Sequence, residues 1–203
     1  MTQHDTELVF QYRQTEYDVD PVYLHRWSPR SFSEREVPLD TLMSLFEAAR
    51  WAPSANNEQP WRFIVAGTDE ERTLFYSFIN ESNRVWCENA PVLVAVASVG
   101  TSSRGTPNRT HAFDAGAAWG FLALEAARKG LITHAMGGFD REKARSALGV
   151  PDDVELHAVV AIGYRGPKET LPPHLQEREK PSSRKSIRET VFFGLYGRTD
   201  CPT

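Results

Sequence analysis

Two arginines alternate with a serine in the segment HRWSPRSFS, residues 25–33. If this segment is extended, the side chains of Arg26, Ser28 and Arg30 point to the same side of the chain. Guanidinium groups donate paired, charge-assisted hydrogen bonds to phosphate oxygens, and a hydroxyl between them adds a further donor. The spacing therefore indicates a phosphate-binding site. A solvated basic turn before a helix is the alternative interpretation.

A second candidate site lies in APSANNEQPW, residues 52–61. Pro53 and Pro60 stiffen a loop that carries one hydroxyl and three amide side chains: Ser54, Asn56, Asn57 and Gln59. Amides both donate and accept hydrogen bonds, so they suit the edge of a heterocycle in which C=O and N–H groups alternate. The alternative is a helix-to-strand turn with ordinary capping, for which two residues would have sufficed.

Two further segments give weaker signals. The paired glycines of AMGGFD, residues 135–140, allow the backbone to approach a flat ligand closely, although a simple turn with Asp140 as the next helix cap explains them equally well. PSSRKSIR, residues 181–188, is a second cationic patch. Alone, such a patch is most often a solvated surface.

Several common catalytic signatures are missing from the sequence. It contains no GxxxxGK[ST] phosphate loop, no GxGxxG fingerprint and no GxSxG nucleophile turn. Its six histidines form no HExxH motif and have no close spacing for metal ligation, and we interpret His157 as a hydrogen-bonded structural residue. An enzyme with this sequence would therefore depend on a bound cofactor for its chemistry.

Composition limits the class of protein further. The 203 residues predict a single domain, 1–203, without a stretch of about 20 apolar residues that could span a membrane. The acidic, polar start MTQHDTELVF does not resemble a signal peptide, which predicts a cytoplasmic protein. The net charge of −4 argues against nucleic-acid binding. Cys87 and Cys201 are expected to be free thiols.

The hydrophobic pattern predicts the elements that position these segments. Residues 38–51 should form a helix, because four apolar residues recur at helical spacing: Leu42, Leu45, Phe46 and Ala49. Asp40 is the expected N-cap of this helix, and Pro53 should end it. Strands are predicted over 61–66, 91–98, 131–136 and 154–164, and helices over 69–88, 111–130 and 140–149. This alternation predicts a sheet covered by helices.

The two ends of the chain differ from its centre. Residues 166–197 are rich in proline and charge, yet they finish in the apolar run VFFGLY. A disordered tail does not normally carry so many large apolar side chains. We therefore expect residues 181–203 to form an arm that packs on a second subunit. Residues 1–19 are expected to be flexible or to pack on that partner.

Taken together and in this order, the four segments resemble the nitroreductase family of FMN-dependent oxidoreductases, from about residue 20 onward. RWSPRSF is similar to the family's opening R-R/H-S-x-R/K-x-F, and AARWAPSANNEQPWRFIV to its helix end followed by P-S-x-x-N-x-Q-P-W and a strand. The GGFD turn and the late RK followed by a glutamate complete the pattern. The resemblance implies an α+β homodimer with a mixed central sheet flanked by helices, and FMN in each of two clefts between the subunits.

The resemblance also implies which residues contact FMN. Those implied at the phosphate and ribityl chain are Arg26, Trp27, Ser28, Arg184 and Lys185. Those implied along the flavin ring are Arg30, Asn83, Met136, Gly137 and Gly138. Those implied from the partner subunit are Pro53, Ser54, Ala55 and Asn57, with Gln59 supporting their loop. Gly137 stands where some members carry a glutamate, so one carboxylate is missing near the reactive nitrogen N5.

The implied activity is the reduction of a nitroaromatic or quinone-like acceptor by NAD(P)H in a ping-pong mechanism. The flavin would carry the hydride, so no side chain is expected to be an obligatory acid or base. One alternative is a specialised branch of the family: a flavin-dependent dehydrogenase or oxidase, a dehalogenase, or an enzyme that consumes flavin. Others are an FMN-binding protein without turnover and a dimerisation domain without a ligand.

Overall fold

The computed structural model describes residues 3–200, with side chains from residue 8 onward, so that Cys201 lies outside the described residues. Eight α-helices occur in the described part of the chain: α1 Gln3–Tyr12, α2 Val22–His25, α3 Leu39–Arg50, α4 Asp69–Tyr76, α5 Glu81–Cys87, α6 His111–Arg128, α7 Arg141–Leu148 and α8 Pro173–Gln176. Its strands are β1 Trp61–Ala66, β2 Val92–Val99, β3 Ile132–Met136 and β4 Val154–Gly163. Short 3₁₀ helices cover Ala55–Asn57, Lys168–Thr170 and Ile187–Glu189.

The four strands form one sheet in the order β1-β2-β4-β3, and each neighbouring pair is antiparallel. The expected α+β class is confirmed, but the sheet of the described chain is antiparallel rather than mixed. Alternating helices and strands do not fix strand direction, because a helical connection can return the chain to either end of a sheet. The predicted strands and the long helix at 111–130 agree with the observed elements within two residues.

Each face of the sheet is covered by helices. Val94 and Val96 of β2 face a cluster that contains Leu45 of α3 and Leu122 of α6. The alternate residues of β2 face the opposite cluster, which contains aromatic side chains of α4 and α5. Because both faces are buried, β2 is a continuous apolar run rather than an alternating one. The sheet thus forms the central layer between two helical layers.

The two surface helices α3 and α7 start differently. Asp140 caps α7 as expected, accepting a hydrogen bond from the backbone N–H of Lys143 at 3.0 Å. Asp40, in contrast, is not the cap of α3, because the helix already begins at Leu39 after Pro38. Asp40 therefore lies within the first turn, where its charge favours the helix through the backbone dipole.

The N-terminal and C-terminal segments of the described chain contact each other. Glu16 accepts hydrogen bonds from the hydroxyl of Ser186 at 3.3 Å and the backbone N–H of Ile187 at 3.1 Å. Further along, Leu195 and Tyr196 are exposed, with 71% and 95% of their surface accessible. Among the helices formed by residues 3–200, none is both long and apolar enough to cross a lipid bilayer.

Candidate functional site

The loop after α2 lines a cavity of about 330 Å³. Its wall also includes Arg13, which directly follows α1, and residues from β3 and from the segment after α8. Six of the lining side chains are cationic: Arg13, Arg26, Arg30, Arg178, Lys180 and Arg184. The wall also contains the side chains of Trp27, Ser28 and His134. We call this space the cationic cavity.

Within the described part of the chain, the cations of the cationic cavity lack ion-pair partners. Among the described side chains, none of the six cations forms an ion pair with a carboxylate. Burial, and next the charges of Arg184 and Arg26, lower the pKa of Arg13 to about 10. Burial and the charge of Arg184 likewise lower the pKa of Arg26. An anion in this cavity would relieve that repulsion.

Arg13 joins three segments of the cavity wall. Its side chain is buried, and its Nη1 donates to the carbonyl oxygens of Leu24 at 2.5 Å and Arg26 at 2.8 Å. Its Nε donates to the carbonyl oxygen of Ser182 at 3.0 Å. The guanidinium of Arg26 donates in turn to the hydroxyl of Ser28 at 3.3 Å. One buried arginine thus fixes the loop that carries the others.

Hydrogen-bonded and aromatic contacts lead from the cavity toward the GGFD segment, residues 137–140, which we call the glycine turn. His134 lies on β3, with Nδ1 3.0 Å from the carbonyl oxygen of Pro29, so Nδ1 carries the proton. Burial lowers the pKa of His134, which keeps its ring neutral. The ring centroid of Trp86 is 4.5 Å from that of His134, and the Arg30 guanidinium is 5.9 Å from the Trp86 ring. These contacts place Arg30 between the cationic cavity and α5.

The glycine turn follows β3 and packs against α5. Asn83 donates from Nδ2 to the carbonyl oxygen of Gly138 at 3.1 Å, and a Cβ on Gly138 would lie only 2.6 Å from that same nitrogen. A Cβ on Gly137 would meet no atom within 4 Å. The turn is therefore closed on the Gly138 side and open at Gly137. Met136 is buried in the core, so that only its backbone is available to a ligand.

The loop at residues 53–59, which we call the amide loop, has a strained conformation. Asn56, Asn57 and Gln59 have φ values of 52°, 58° and 48°, a region that residues other than glycine rarely adopt. The backbone N–H of Ala55 donates to buried Asp114 on α6 at 3.2 Å. Within the loop, Gln59 donates from Nε2 to the carbonyl oxygen of Asn57 at 3.0 Å. Such strain persists only where neighbouring contacts fix it, and it is typical of ligand sites.

The structure brings together most but not all of the residues expected at the site. Arg26, Trp27, Ser28, Arg30 and Arg184 share the cationic cavity, and Asn83 meets the glycine turn. The amide loop, residues 53–59, contributes nothing to the cavity wall of its own chain. Lys185 is exposed and does not line the cavity either.

Known proteins resemble this chain over most of its length. The family model described as the nitroreductase family matches residues 23–86 and 78–164. The chain belongs to the nitroreductase family. A solved structure described as an oxidoreductase containing FMN is 43% identical, with a TM-score of 0.88 over 92% of this chain and 96% of that one. An NADH dehydrogenase of Thermus thermophilus is 29% identical over 190 residues, 77% of this chain and 91% of the relative. An iodotyrosine deiodinase of Haliscomenobacter hydrossis is 25% identical over 185 residues, 77% of this chain and 82% of the relative.

Membership of the nitroreductase family confirms the resemblance found in the sequence. It also confirms, at the level of the family, the expected class of FMN-dependent NAD(P)H oxidoreductases. The residues matched to the family include the loop after α2, the amide loop and the glycine turn. Arg13, Arg184 and the segment after α8 lie outside the matched ranges, so the cationic cavity combines family residues with others.

Three residues that shape the site were not predicted from the sequence. Arg13 ends the mixed stretch TELVFQYR, and Asp114 lies in the mostly apolar stretch HAFDAGAAWG. Neither residue belongs to a recognisable motif. Glu179 lies in the charged run QEREK, which reads as a solvated surface. In the structure it is buried, with 5% of its surface exposed. The proline and leucine residues before this run were the available signal that the segment packs against the domain.

Proposed function

We propose that this nitroreductase-family protein binds FMN with the phosphate in the cationic cavity and reduces nitroaromatic or quinone-like acceptors with NAD(P)H. The observation that carries the proposal is the cluster of cations without a carboxylate partner around a cavity of about 330 Å³. Arginine forks and a hydroxyl match the donor set that a phosphate requires. Gly137 offers room beside the turn for a flat ring, so the residues present fit FMN.

Each part of the site would have its own task. Arg26, Ser28 and Arg184 would hold the phosphate, and Arg30 would present a positive charge to the pyrimidine side of the ring. That charge would favour the reduced, more negative cofactor and so raise its reduction potential. When bound, FMN supplies a reversible carrier of two electrons between NAD(P)H and the acceptor. Asn83 would hold the glycine turn in place along the ring.

The side chains around the ring would position the substrate rather than transfer protons. The one carboxylate of the GGFD segment, Asp140, already caps α7. Neutral His134 already uses its Nδ1 proton on the carbonyl oxygen of Pro29. Donor and acceptor would occupy the open space at Gly137 in turn, which predicts ping-pong kinetics. Steady-state plots at several acceptor concentrations should then give parallel lines, and intersecting lines would argue against the shared space.

A second copy of the chain would complete the site. The strained amide loop does not reach the cavity of its own chain, and a homodimer would bring the loop of one subunit to the flavin of the other. Exposed apolar side chains on α3 and α6 support such a contact: Leu39, Met43, Phe113 and Phe121. The exposed Leu195 and Tyr196 would pack on the partner as part of the arm 181–203.

Anaerobic reduction tests this function directly. The purified protein is loaded with FMN, mixed with NADH or NADPH under argon, and followed by the absorbance of the oxidised flavin. We expect one of the two nucleotides to bleach the flavin and a nitroaromatic or quinone to restore the colour. If the flavin binds but stays oxidised with both nucleotides, the protein is a flavin-binding protein without turnover and the proposed reductase function is wrong.

Reductive dehalogenation is a second candidate function within the same family. The similarity to an iodotyrosine deiodinase extends over 77% of this chain. In that case, the reduced protein would release halide from a halogenated aromatic substrate and would be reoxidised slowly by simple quinones. Halide analysis after single-turnover reduction distinguishes the two candidates.

A further inference from the structure

Glu179 is a buried carboxylate that binds backbone instead of the surrounding arginines. Its Oε1 accepts hydrogen bonds from the backbone N–H groups of Arg30 and Ser31, each at 3.0 Å, and from the Ser31 hydroxyl at 2.7 Å. Its Oε2 accepts from the Arg30 N–H at 3.0 Å. A carboxylate among cations would ordinarily take a guanidinium as its partner. Here the guanidinium of Arg30 forms no ion pair with any carboxylate of the described side chains, and it lies toward Trp86.

The segment that contains Arg30 is held from two sides. On one side, Gly166 donates to the carbonyl oxygen of Ser31 at 2.8 Å, and Phe32 forms an isolated antiparallel bridge with Arg165. A Cβ on Gly166 would lie 2.6 Å from the carbonyl oxygen of Phe32, so the two backbones are in close contact. On the other side, the N–H groups of Arg30 and Ser31 donate to Glu179, and no other side chain among the described residues accepts from them.

Glu179 is itself fixed by the turn after α8. Its backbone N–H donates to the carbonyl oxygen of Gln176 at 3.2 Å, and Leu175 in the same turn is buried. The carboxylate thus links the C-terminal segment to the loop after α2, 149 residues earlier in the chain. Burial, and next the charge of Arg178, lower the pKa of Arg30, and the negative charge of Glu179 offsets part of that lowering.

We propose that Glu179 is a positioning residue, which holds the backbone of Arg30 so that its guanidinium faces the pyrimidine side of the flavin. This inference rests on the proposed FMN site. Because Glu179 binds the backbone and not the guanidinium, it orients Arg30 without neutralising the charge that the flavin would use. The C-terminal segment thereby affects the reduction potential of the cofactor through Arg30.

The test is Glu179→Gln, measured by FMN affinity and by the midpoint potential of the bound flavin. Glutamine keeps the size of the side chain and one acceptor oxygen. It removes the negative charge, however, and places an NH₂ donor where Oε2 accepts from the Arg30 N–H. We expect FMN binding to weaken about tenfold, as for the loss of one charge-assisted hydrogen bond, and the potential to fall. Glu177→Gln, an exposed neighbour in the same segment, is the matched control and should change neither.

The direction in which the midpoint potential changes distinguishes a positioning role of Glu179 from an effect of its charge alone. If Arg30 stayed in place, loss of a nearby negative charge would raise the potential, so an unchanged or raised value in Glu179→Gln would overturn the proposal. In an Arg30→Met background the same substitution should no longer lower the potential. A further decrease there would equally contradict the role of Arg30.

Two measurements keep the outcome clear. Ser31→Ala removes only the hydroxyl donor to Glu179 and should shift affinity and potential in the same direction by a smaller amount, even if Glu179→Gln folds poorly. Wild-type protein that takes up no FMN would contradict the proposed function. Wild-type protein that binds and reduces FMN while both Glu179→Gln and Ser31→Ala match the Glu177→Gln control would contradict only the positioning role.

Discussion

The guanidinium of Arg13 donates from Nη1 to the carbonyl oxygen of Arg26, 2.8 Å away, although both side chains carry positive charge. Arg13 also binds the carbonyl oxygens of Leu24 and Ser182. Burial and the charges of Arg184 and Arg26 lower the pKa of Arg13 to about 10, so its guanidinium remains charged near neutral pH. A buried cation holds the loop that is proposed to bind the phosphate.

Replacing Arg13 should lower stability and ligand affinity together. Arg13→Met leaves three carbonyl oxygens without their donor, and we expect the free energy of unfolding to fall by about 1–3 kcal/mol in the absence of ligand. Urea unfolding measures this change. Arg13→Lys keeps the charge but lacks the fork, so it should recover only part of the loss. Full stability in Arg13→Met would show that the three contacts do not hold the loop.

The cavity arginines should matter for FMN and not for riboflavin. Arg26→Gln and Arg184→Gln remove charges that the phosphate would meet, and we expect each to weaken FMN binding by about tenfold or more. Riboflavin has no phosphate, so its affinity should change little. Arg188→Gln, an exposed arginine outside the cavity wall, is the control. Equal losses for FMN and riboflavin would place the phosphate elsewhere.

The two glycines of the turn should respond differently to alanine. Gly138→Ala would force Asn83 away from the Gly138 carbonyl oxygen, so we expect a loss of about 1 kcal/mol in the free energy of unfolding. Gly137→Ala meets no protein atom and should leave the stability of the ligand-free protein unchanged. If the ring lies beside Gly137, the same substitution should weaken FMN binding. An unaffected FMN affinity would move the ring away from this turn.

Two histidines predict a pH dependence of stability. His157, expected to be structural, lies with Nε2 2.6 Å from the hydroxyl of Ser98, and burial lowers its pKa as it does for His134. The folded protein then binds these protons less tightly than the unfolded chain, so protonation favours unfolding. The free energy of unfolding should decrease as the pH falls below about 6.5, the ordinary histidine value.

Urea unfolding at about pH 7.5 and about pH 5.5 checks this dependence. The decrease between the two conditions should be smaller in His157→Gln than in the wild type. The exposed His174→Gln serves as the control. A stability that rises on acidification over this range would show that the two imidazoles are not held neutral by the fold.

Local patterns were sufficient to predict much of this structure. The apolar residues of α3 and the continuous run of β2 follow helical and buried-strand patterns, which adjacent residues determine. The alternation of Arg26, Ser28 and Arg30 likewise placed all three in one cavity wall. Each of these features depends on residues a few positions apart, so the sequence shows it directly.

The remaining features depend on contacts between distant segments. Arg13 meets Ser182 across 169 residues, and Glu179 meets Arg30 across 149. The local sequence of Arg13 does not distinguish it from a solvated charge, and for Glu179 only the preceding proline and leucine residues indicate that the segment packs. The position of Asp40 shows a different limit, because one helical turn contains several positions where an acidic residue is favourable and only the backbone decides which one is the cap.

Binding of FMN and riboflavin to the wild-type protein, compared by calorimetry, tests the central claim most directly. We predict one FMN per chain, an affinity that falls as salt is added, and riboflavin binding at least about tenfold weaker, because the cationic cavity would hold the phosphate. Equal affinities for FMN and riboflavin, or no binding of FMN to the folded protein, would contradict it.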